Sequence, residues 1–186
     1  MSQNLTFRPA NLNDIPTLRH WDLQEHVLRA THYDYEEQVA AGKSAEEMAN
    51  DWEWEEVIGN RPDWLETIIA ERDGQPIGVM QVIDPATESD HYWGDIGLGY
   101  RAIDIWIGDL ENTNKGYGTE MMTWMINHCF ENPSVHSIII DPLINNTRAI
   151  QFYQKLGFKF VEDRWFDTDL CAVHILSRQD WKSNSL

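Results

Sequence analysis

The sequence is poor in positive charge. Lysine and arginine together number 14 against 31 aspartate and glutamate residues, which gives a formal net charge of −17 at pH 7. Nucleic acids and anionic membranes are bound through basic surfaces, so neither is an expected partner. A negative field attracts and concentrates cationic ligands instead. The same acidity is explained equally well as a means of keeping the protein in solution, so charge alone leaves both interpretations open.

Cysteine is scarce as well, and long apolar runs and metal-binding patterns are absent. Cys129 and Cys171 lie in no CxxC pair and in no Cys/His cluster, which predicts reduced, buried thiols in a reducing compartment. His136 and His174 fall in strand-like segments without HExxH-type spacing, so no metal site is predicted. No apolar run approaches the ~20 residues that span a bilayer, and the first residues lack the order of a signal peptide. We therefore expect a cytoplasmic protein.

The pattern of apolar residues predicts an α/β protein with one domain over residues 1–186, in which helices pack on a mixed sheet. Asp73-Gly74 is typical of a hairpin turn, and Ser44 with Glu47 of a capping box. The predicted strands are residues 5–8, 64–72, 77–83, 102–107, 137–141, 158–162 and 172–176. The predicted helices are residues 11–29, 44–58, 116–131 and 146–156.

A glycine-rich segment between a predicted strand and a predicted helix has the character of a phosphate site. It reads Lys115-Gly116-Tyr117-Gly118-Thr119. The two glycines allow a ligand to approach the backbone closely, and the first turn of the helix presents unpaired N–H groups and the positive end of its dipole. Alone, the pattern also fits an ordinary glycine-rich start of a helix.

A second segment makes the pattern specific. Residues 145–158 read Asn-Asn-Thr-Arg-Ala-Ile-Gln-Phe-Tyr-Gln-Lys-Leu-Gly-Phe. Together with the earlier Gly-x-Gly, this segment resembles the GNAT acetyltransferases. Thr113 departs from the family pattern, which usually has arginine or glutamine there. A closer resemblance over roughly residues 64–164, carried by residues 77–81, 101–104 and 140–142, is to the aminoglycoside 6'-N-acetyltransferases, a group that is itself similar to siderophore hydroxylysine acyltransferases. Leu18-Arg19-His20-Trp21 carries a looser match in the N-terminal third.

The resemblance implies a fold, a co-substrate, and separate parts of the chain for the co-substrate and for the substrate. It implies a central mixed, mostly antiparallel twisted sheet of six to seven strands flanked by helices. It implies acetyl-CoA as the acetyl donor, bound by residues 64–178, with residues 1–63 as the variable, substrate-side part. The expected cofactor-binding residues are Trp106, Ile107, Asn112, Lys115, Gly116, Tyr117, Gly118, Thr119, Asn146 and Tyr153.

Asp104 is the candidate general base. It interrupts the apolar run of Ile103, Ile105 and Ile107, and alternation places Asp104 and Trp106 on the opposite face from these isoleucines. An aspartate there is expected to be partly desolvated, with a raised pKa, and could accept the proton of an incoming ammonium. The alternative is a carboxylate satisfied by backbone N–H groups or by Arg101. The resemblance favours the base, because similar enzymes place the acid at the matching position.

Two further residues have alternative roles. Tyr153 lies on the apolar face of its helix, where a tyrosine is usually a core residue, but the resemblance implies that it approaches the sulfur of coenzyme A and protonates the leaving thiolate. Asn146 opens the same helix, and it could cap that helix, bind the pantetheine arm, or do both. Trp106 and Ile107 are expected to offer main-chain groups to pantetheine.

The remaining site residues concern the amine. Asp141 could bind a second ammonium or act as a turn former before Pro142. Gln81, Tyr92 and Trp93 are candidate walls of the substrate site. Residues 34–66 hold eleven acidic residues, with Tyr35, Trp52, Trp54 and Trp64 interleaved. This segment would suit a polycationic sugar, or it could be a solvated helix face with tryptophan packed beneath.

Three functions follow as hypotheses. The first is transfer of an acetyl group from acetyl-CoA to a primary amine, foremost the 6'-amine of aminoglycoside antibiotics, by direct attack in a ternary complex. The second is acylation of another amine, such as a siderophore hydroxylysine or a protein N-terminus. The third is a non-catalytic acyl-CoA-binding sensor. The expected partner is a small cationic amine, and the chain is expected to be a monomer or a homodimer.

Overall fold

Seven strands form one sheet in a computed structural model that describes residues 5–49 and 53–184. The strands are β1 (Thr6–Pro9), β2 (Leu65–Arg72), β3 (Gln75–Ile83), β4 (Tyr100–Ile107), β5 (Ser137–Ile140), β6 (Lys159–Phe166) and β7 (Asp169–Ser177). Their order is β1-β2-β3-β4-β5-β7-β6. All neighbours are antiparallel except β4 and β5, which are parallel. The predicted mixed, mostly antiparallel sheet is therefore confirmed.

Helices cover both faces of the sheet. They are α1 (Ile15–Asp22), α2 (Glu25–Thr31), α3 (Tyr35–Ala40), α4 (Ala45–Met48), α5 (Trp54–Asn60), α6 (Tyr117–Glu131), α7 (Thr147–Lys155) and α8 (Arg178–Asn184). On one face, α6 and α7 pack on Ile103 and its neighbours in the largest apolar cluster. On the other, α1 and α5 pack on Ile69 and Val79. Among the described residues, no helix is long and apolar enough to cross a membrane.

The hairpin between β2 and β3 forms as predicted. Asp73 and Gly74 have φ angles of +51° and +75°, and two successive residues with positive φ give the twist that joins antiparallel strands with a two-residue turn. The capping box of α4 is also present, because Ser44 accepts from the Glu47 N–H and the Glu47 carboxylate accepts from the Ser44 N–H.

Two of the predicted helices are wrong as continuous elements. The helix predicted over residues 11–29 is a short 3-10 turn followed by α1 and α2, with Gln24 extended between them. The helix predicted over residues 44–58 is α4 and α5, because Ala49 has a non-helical ψ of 126°; residues 50–52 lie outside the described part of the chain. The physical reason is tertiary: the Trp54 indole is fully buried and donates to Asp22 Oδ2 at 2.6 Å. Helices α3 and α8 were not predicted.

Trp21 joins the N-terminal helices to the end of β4. Its ring is 1% exposed and lies over Gly108, where an added Cβ would meet ring atoms at 2.0 Å. Only glycine fits this contact, and it fixes α1 directly against the residue that follows β4. The N-terminal helices are therefore packed against the start of the glycine-rich loop.

Replacing Gly108 by alanine is expected to destabilise the fold by about 1–3 kcal/mol, the usual cost of overpacking a filled core. The unfolding midpoint in urea measures the effect. Gly59→Ala is the matched control, because it lies in α5 with no atom within 4 Å of an added Cβ and should be neutral or slightly stabilising. Equal stability of the two variants would contradict the Trp21 contact.

Candidate active site

The sheet opens between β4 and β5. The two strands pair only from Tyr100 to Ala102, and β4 continues to Ile107 without its neighbour. The Gly108 N–H donates to Ile77 O at 3.0 Å, and bonding direction alternates along an antiparallel strand. The main-chain groups of Ile107 therefore face the opening, where an extended ligand can pair with them.

The same register corrects one expectation. The main chain of Trp106 points towards β3, where Val79 is its partner, so Trp106 does not offer main-chain groups to the opening. Its side chain lies on the face of α1 and α5, packed with Trp54 at a centroid distance of 6.1 Å. Of the two residues expected to present main-chain groups to pantetheine, only Ile107 is placed to do so.

His26 lies at this opening and was not found from the sequence. Its Nε2 is 2.9 Å from the Ile107 carbonyl oxygen. The contact holds α2 against the free edge of β4. Because the Ile107 carbonyl is already bonded to His26, the Ile107 N–H is the main-chain group of this residue that a ligand can bind. A lone histidine in a helix gives no sequence signal, because its partner is a main-chain atom 81 residues away.

The glycine-rich loop leads into the N-terminus of α6. Gly116 is the N-cap residue with φ of +86°, and no side chain caps the helix. An added Cβ on Gly118 would come no closer than 3.8 Å to Ile107 and Phe152. Packing therefore does not require glycine there, and no side-chain cap competes with an anion at the N-terminus of this 15-residue helix. This cradle fits the diphosphate of coenzyme A.

The other residues of the loop could bind the cofactor through either the main chain or the side chain. The ring of Tyr117 is 2% exposed and Arg72 binds its hydroxyl, so only the main chain of Tyr117 can serve a phosphate. Lys115 and Thr119 are exposed, and Asn112 is half-buried in a 3-10 turn before the loop. Their assignment to the cofactor stays a prediction.

Asp104 stands on β4 opposite Gln81 of β3. Burial, together with the charges of Asp141 and Glu88, raises the pKa of its carboxyl to about 7. Arg101 pairs with Asp84 instead, at 2.8 Å, and within the described residues no hydrogen bond to Asp104 lowers its pKa. The alternative of a satisfied structural carboxylate therefore fails, and the raised pKa matches a group that exchanges protons near neutrality.

Asp141 follows β5 and forms the second carboxyl of the site. Its pKa is raised to about 6 because burial outweighs the opposing effect of a 2.6 Å hydrogen bond from the Tyr92 hydroxyl. Tyr92 is 47% exposed and stacks on Phe166 at 4.4 Å, and Trp93 is buried against the same ring. Tyr92 thus presents an aromatic surface beside Asp141, and the buried Trp93 packs edge-to-face against both Tyr92 and Phe166.

Glu88 is a third carboxyl that sequence reasoning missed. It lies in the loop after β3, and burial raises its pKa, with further increases from Asp90 and Asp141. Its Oε2 is buried and makes no hydrogen bond within the described chain. The loop carries several acidic residues with no periodicity, so nothing in the sequence sets Glu88 apart from its neighbours.

Tyr153 and Asn146 bring α7 to the site. Burial raises the pKa of Tyr153, and the charges of Asp104 and Asp141 add to it, so the hydroxyl stays protonated near these two carboxyls. The Asn146 Oδ1 accepts from the Ala149 N–H at 3.1 Å, which makes Asn146 a cap and leaves its amide N–H₂ for a ligand. Its contact with pantetheine stays a prediction.

In the acidic segment of residues 34–66, the tryptophans and the carboxylates lie in different environments. Trp54 is fully buried and Trp64 packs at the edge of a second apolar cluster, while Glu55 and Glu56 are exposed. At these positions the solvated face with tryptophan beneath is the arrangement observed. Tyr35 stacks under Arg29, and Trp52 lies outside the described residues. No group of three or more potential ligands for a metal ion occurs in the described ranges.

Comparison with known proteins agrees with this geometry. Residues 11–166 match the family described as an acetyltransferase (GNAT) domain. The chain belongs to the GNAT acetyltransferase family. As a GNAT enzyme it is an acetyl-CoA-dependent N-acetyltransferase.

Individual relatives are more distant. The aminoglycoside N(6')-acetyltransferase type 1 of Klebsiella pneumoniae is 26% identical over 167 residues, covering 85% of this chain and 75% of that protein. The structure of aminoglycoside acetyltransferase AAC(6')-Ib with coenzyme A and kanamycin has a TM-score of 0.80 at 22% identity, covering 98% of this GNAT chain and all of the other. Spermidine N-acetyltransferase from Vibrio cholerae, with coenzyme A and spermine, has a TM-score of 0.68 at 14% identity, covering 98% and 99% of the chains.

Proposed function

We propose that this enzyme acetylates the 6'-amine of aminoglycosides by direct attack of the amine on acetyl-CoA in a ternary complex. The observation that carries the proposal is the pair Asp104 and Asp141, two carboxyls with raised pKa values, of which Asp141 raises the pKa of Asp104 by its charge. Glu88 adds a third negative charge nearby. Several carboxylates grouped in this way suit a substrate that carries several ammonium groups, although the positive charge of Arg164 acts on Asp141.

The aromatic wall favours a ring-shaped polycation over a linear one. The exposed Tyr92 ring lies flat on Phe166, and a sugar ring can pack on such a face while its ammonium groups reach the carboxylates. The names of the Klebsiella relative and of the kanamycin complex support the same substrate class. The likeness to a spermidine acetyltransferase makes linear polyamines the competing class.

Each residue has a defined task in this mechanism. Acetyl-CoA supplies the electrophilic acetyl thioester, held by the Ile107 N–H and by main-chain N–H groups at the uncapped N-terminus of α6. Asp104, deprotonated above its pKa, accepts the proton that the substrate ammonium must lose before it can attack. Asp141 binds a second ammonium, which orients the first. Tyr153, whose hydroxyl stays protonated, donates a hydrogen bond to the departing sulfur.

Release of free thiol from acetyl-CoA, followed with a panel of amines, tests the proposal. Neomycin and paromomycin are the decisive pair, because they differ in having an amine or a hydroxyl at the 6' position. We expect turnover with neomycin and kanamycin and none with paromomycin. Turnover confined to spermidine, lysine derivatives or peptide N-termini would replace the proposed substrate by another amine. Binding of acetyl-CoA without turnover of any amine would favour the sensor.

A further inference from the structure

Three buried side-chain atoms in the described part of the chain make no hydrogen bond, and all three belong to residues around Asp104. They are Gln81 Oε1, Glu88 Oε2 and Trp106 Nε1. Gln81 lies opposite Asp104, Trp106 is two residues further along the same face of β4, and the Glu88 charge acts on the Asp104 carboxyl. Buried polar atoms are nearly always paired in folded proteins, so their concentration here indicates a partner that comes from outside the chain.

The Trp106 indole is held rigidly. Its ring packs against Trp54 at 6.1 Å between centroids, and Trp54 is fixed by its own hydrogen bond to Asp22 at 2.6 Å. Val79 lies opposite Trp106 in the neighbouring strand. The unpaired N–H of Trp106 is therefore a donor whose position is set by the core rather than by solvent.

Gln81 supplies the matching acceptor. Its side chain is fully buried, and its amide nitrogen is directed at Thr67 Oγ1 at 3.4 Å, so Oε1 is the unpaired atom. Gln81 and Trp106 are diagonal neighbours across the β3–β4 pair, a separation that long side chains bridge when they bind a common partner.

One donor and one acceptor together select the chemistry of the partner. A hydroxyl oxygen accepts from the indole N–H while its own proton goes to the amide oxygen. An ammonium has no lone pair for the indole, and a carboxylate has no proton for the amide. We propose that Trp106 Nε1 and Gln81 Oε1 bind one hydroxyl of the substrate beside the amine handled by Asp104, so that Trp106 determines specificity for amines with a neighbouring hydroxyl.

This proposal rests on the proposed function for its substrate, since the 6'-amine of kanamycin-type rings has hydroxyls on the same ring. The test compares kcat/KM for kanamycin B and its 3',4'-dideoxy analogue in the wild type, Trp106→Phe and Gln81→Leu. The wild type should prefer the hydroxylated compound by at least about tenfold. Both variants should bring the ratio to within about twofold, mainly by slowing the hydroxylated compound. Trp124→Phe, on α6 away from the site and stacked on Phe7, should keep the wild-type ratio.

Two results would overturn the proposal. One is an unchanged ratio in a folded Trp106→Phe enzyme. The other is equal slowing of both compounds by Trp106→Phe, which would assign the pair of atoms to a bound water. If the wild type acetylates neither aminoglycoside, the proposed function fails separately. The same comparison then moves to lysine and 5-hydroxylysine, whose hydroxyl adjoins the reacting amine, with the same preference expected and its absence counting against the proposal.

Discussion

Replacing Asp104 by asparagine is expected to lower kcat/KM for the amine by roughly 10²–10⁴-fold, the range that general base catalysis supplies. Asparagine keeps the shape of the side chain but cannot accept the proton of the ammonium. Steady-state rates of thiol release measure the loss. Asp95→Asn, at an exposed position of the loop before β4, is the control and should keep the wild-type rate. An unchanged rate in the Asp104 variant would remove this residue from the mechanism.

The pH dependence of the same rate separates a base from a binding site. The pKa of Asp104 is raised to about 7, so the carboxyl is protonated and inactive below this pH and is deprotonated above it. For the wild type, kcat/KM should rise with pH through about 7. Asp104→Asn should lose this rising limb. A residue that only binds the ammonium would change KM and leave the midpoint in place.

Replacing Tyr153 by phenylalanine is expected to lower kcat by roughly 10²-fold, because the departing sulfur loses its hydrogen-bond donor. KM for acetyl-CoA should change little, since the hydroxyl is needed only when charge develops on sulfur. The Tyr153 ring packs on Phe152 and Phe158, and phenylalanine preserves this packing, so the unfolding midpoint should stay near the wild-type value.

Tyr100→Phe provides the matched control for Tyr153. Tyr100 begins β4 and its ring contacts His136 at 4.7 Å, so the same hydroxyl is removed at a position outside the site. Its kcat should match the wild type. Full activity of Tyr153→Phe would show that solvent or another group donates the hydrogen bond to the departing sulfur.

The sequence was sufficient wherever a local pattern decides the structure. Alternation on β4 places Asp104 opposite the isoleucines that pack under α6, and Asp73-Gly74 forms its turn from two residues with positive φ. The N-terminus of α6 follows from Gly116 alone. These features depend on neighbours within a few residues, so their residue types identify them.

The sequence did not predict features that depend on contacts between residues far apart in the chain. The break between α1 and α2 and the separate helix α5 both accommodate the buried pair of Asp22 and Trp54, which are 32 residues apart. His26 acts on the Ile107 carbonyl, which every residue type would provide. The direction of the Trp106 main chain depends on the register between β3 and β4, and a shift of one residue would reverse it.

The crowding of carboxyls at the cleft affects the whole molecule. Asp104 and Asp141 hold protons more tightly in the folded chain than in the unfolded chain, where ordinary carboxyls titrate near 4. These two carboxyls therefore take up protons on folding, and the stability that they contribute is lost as pH rises from about 4 through 6 to 7. Above that window the empty cleft is a source of electrostatic repulsion, and a polyvalent cation lodged there relieves it. The two carboxyls thus oppose folding of the ligand-free enzyme in the same pH range in which Asp104 is able to accept a proton.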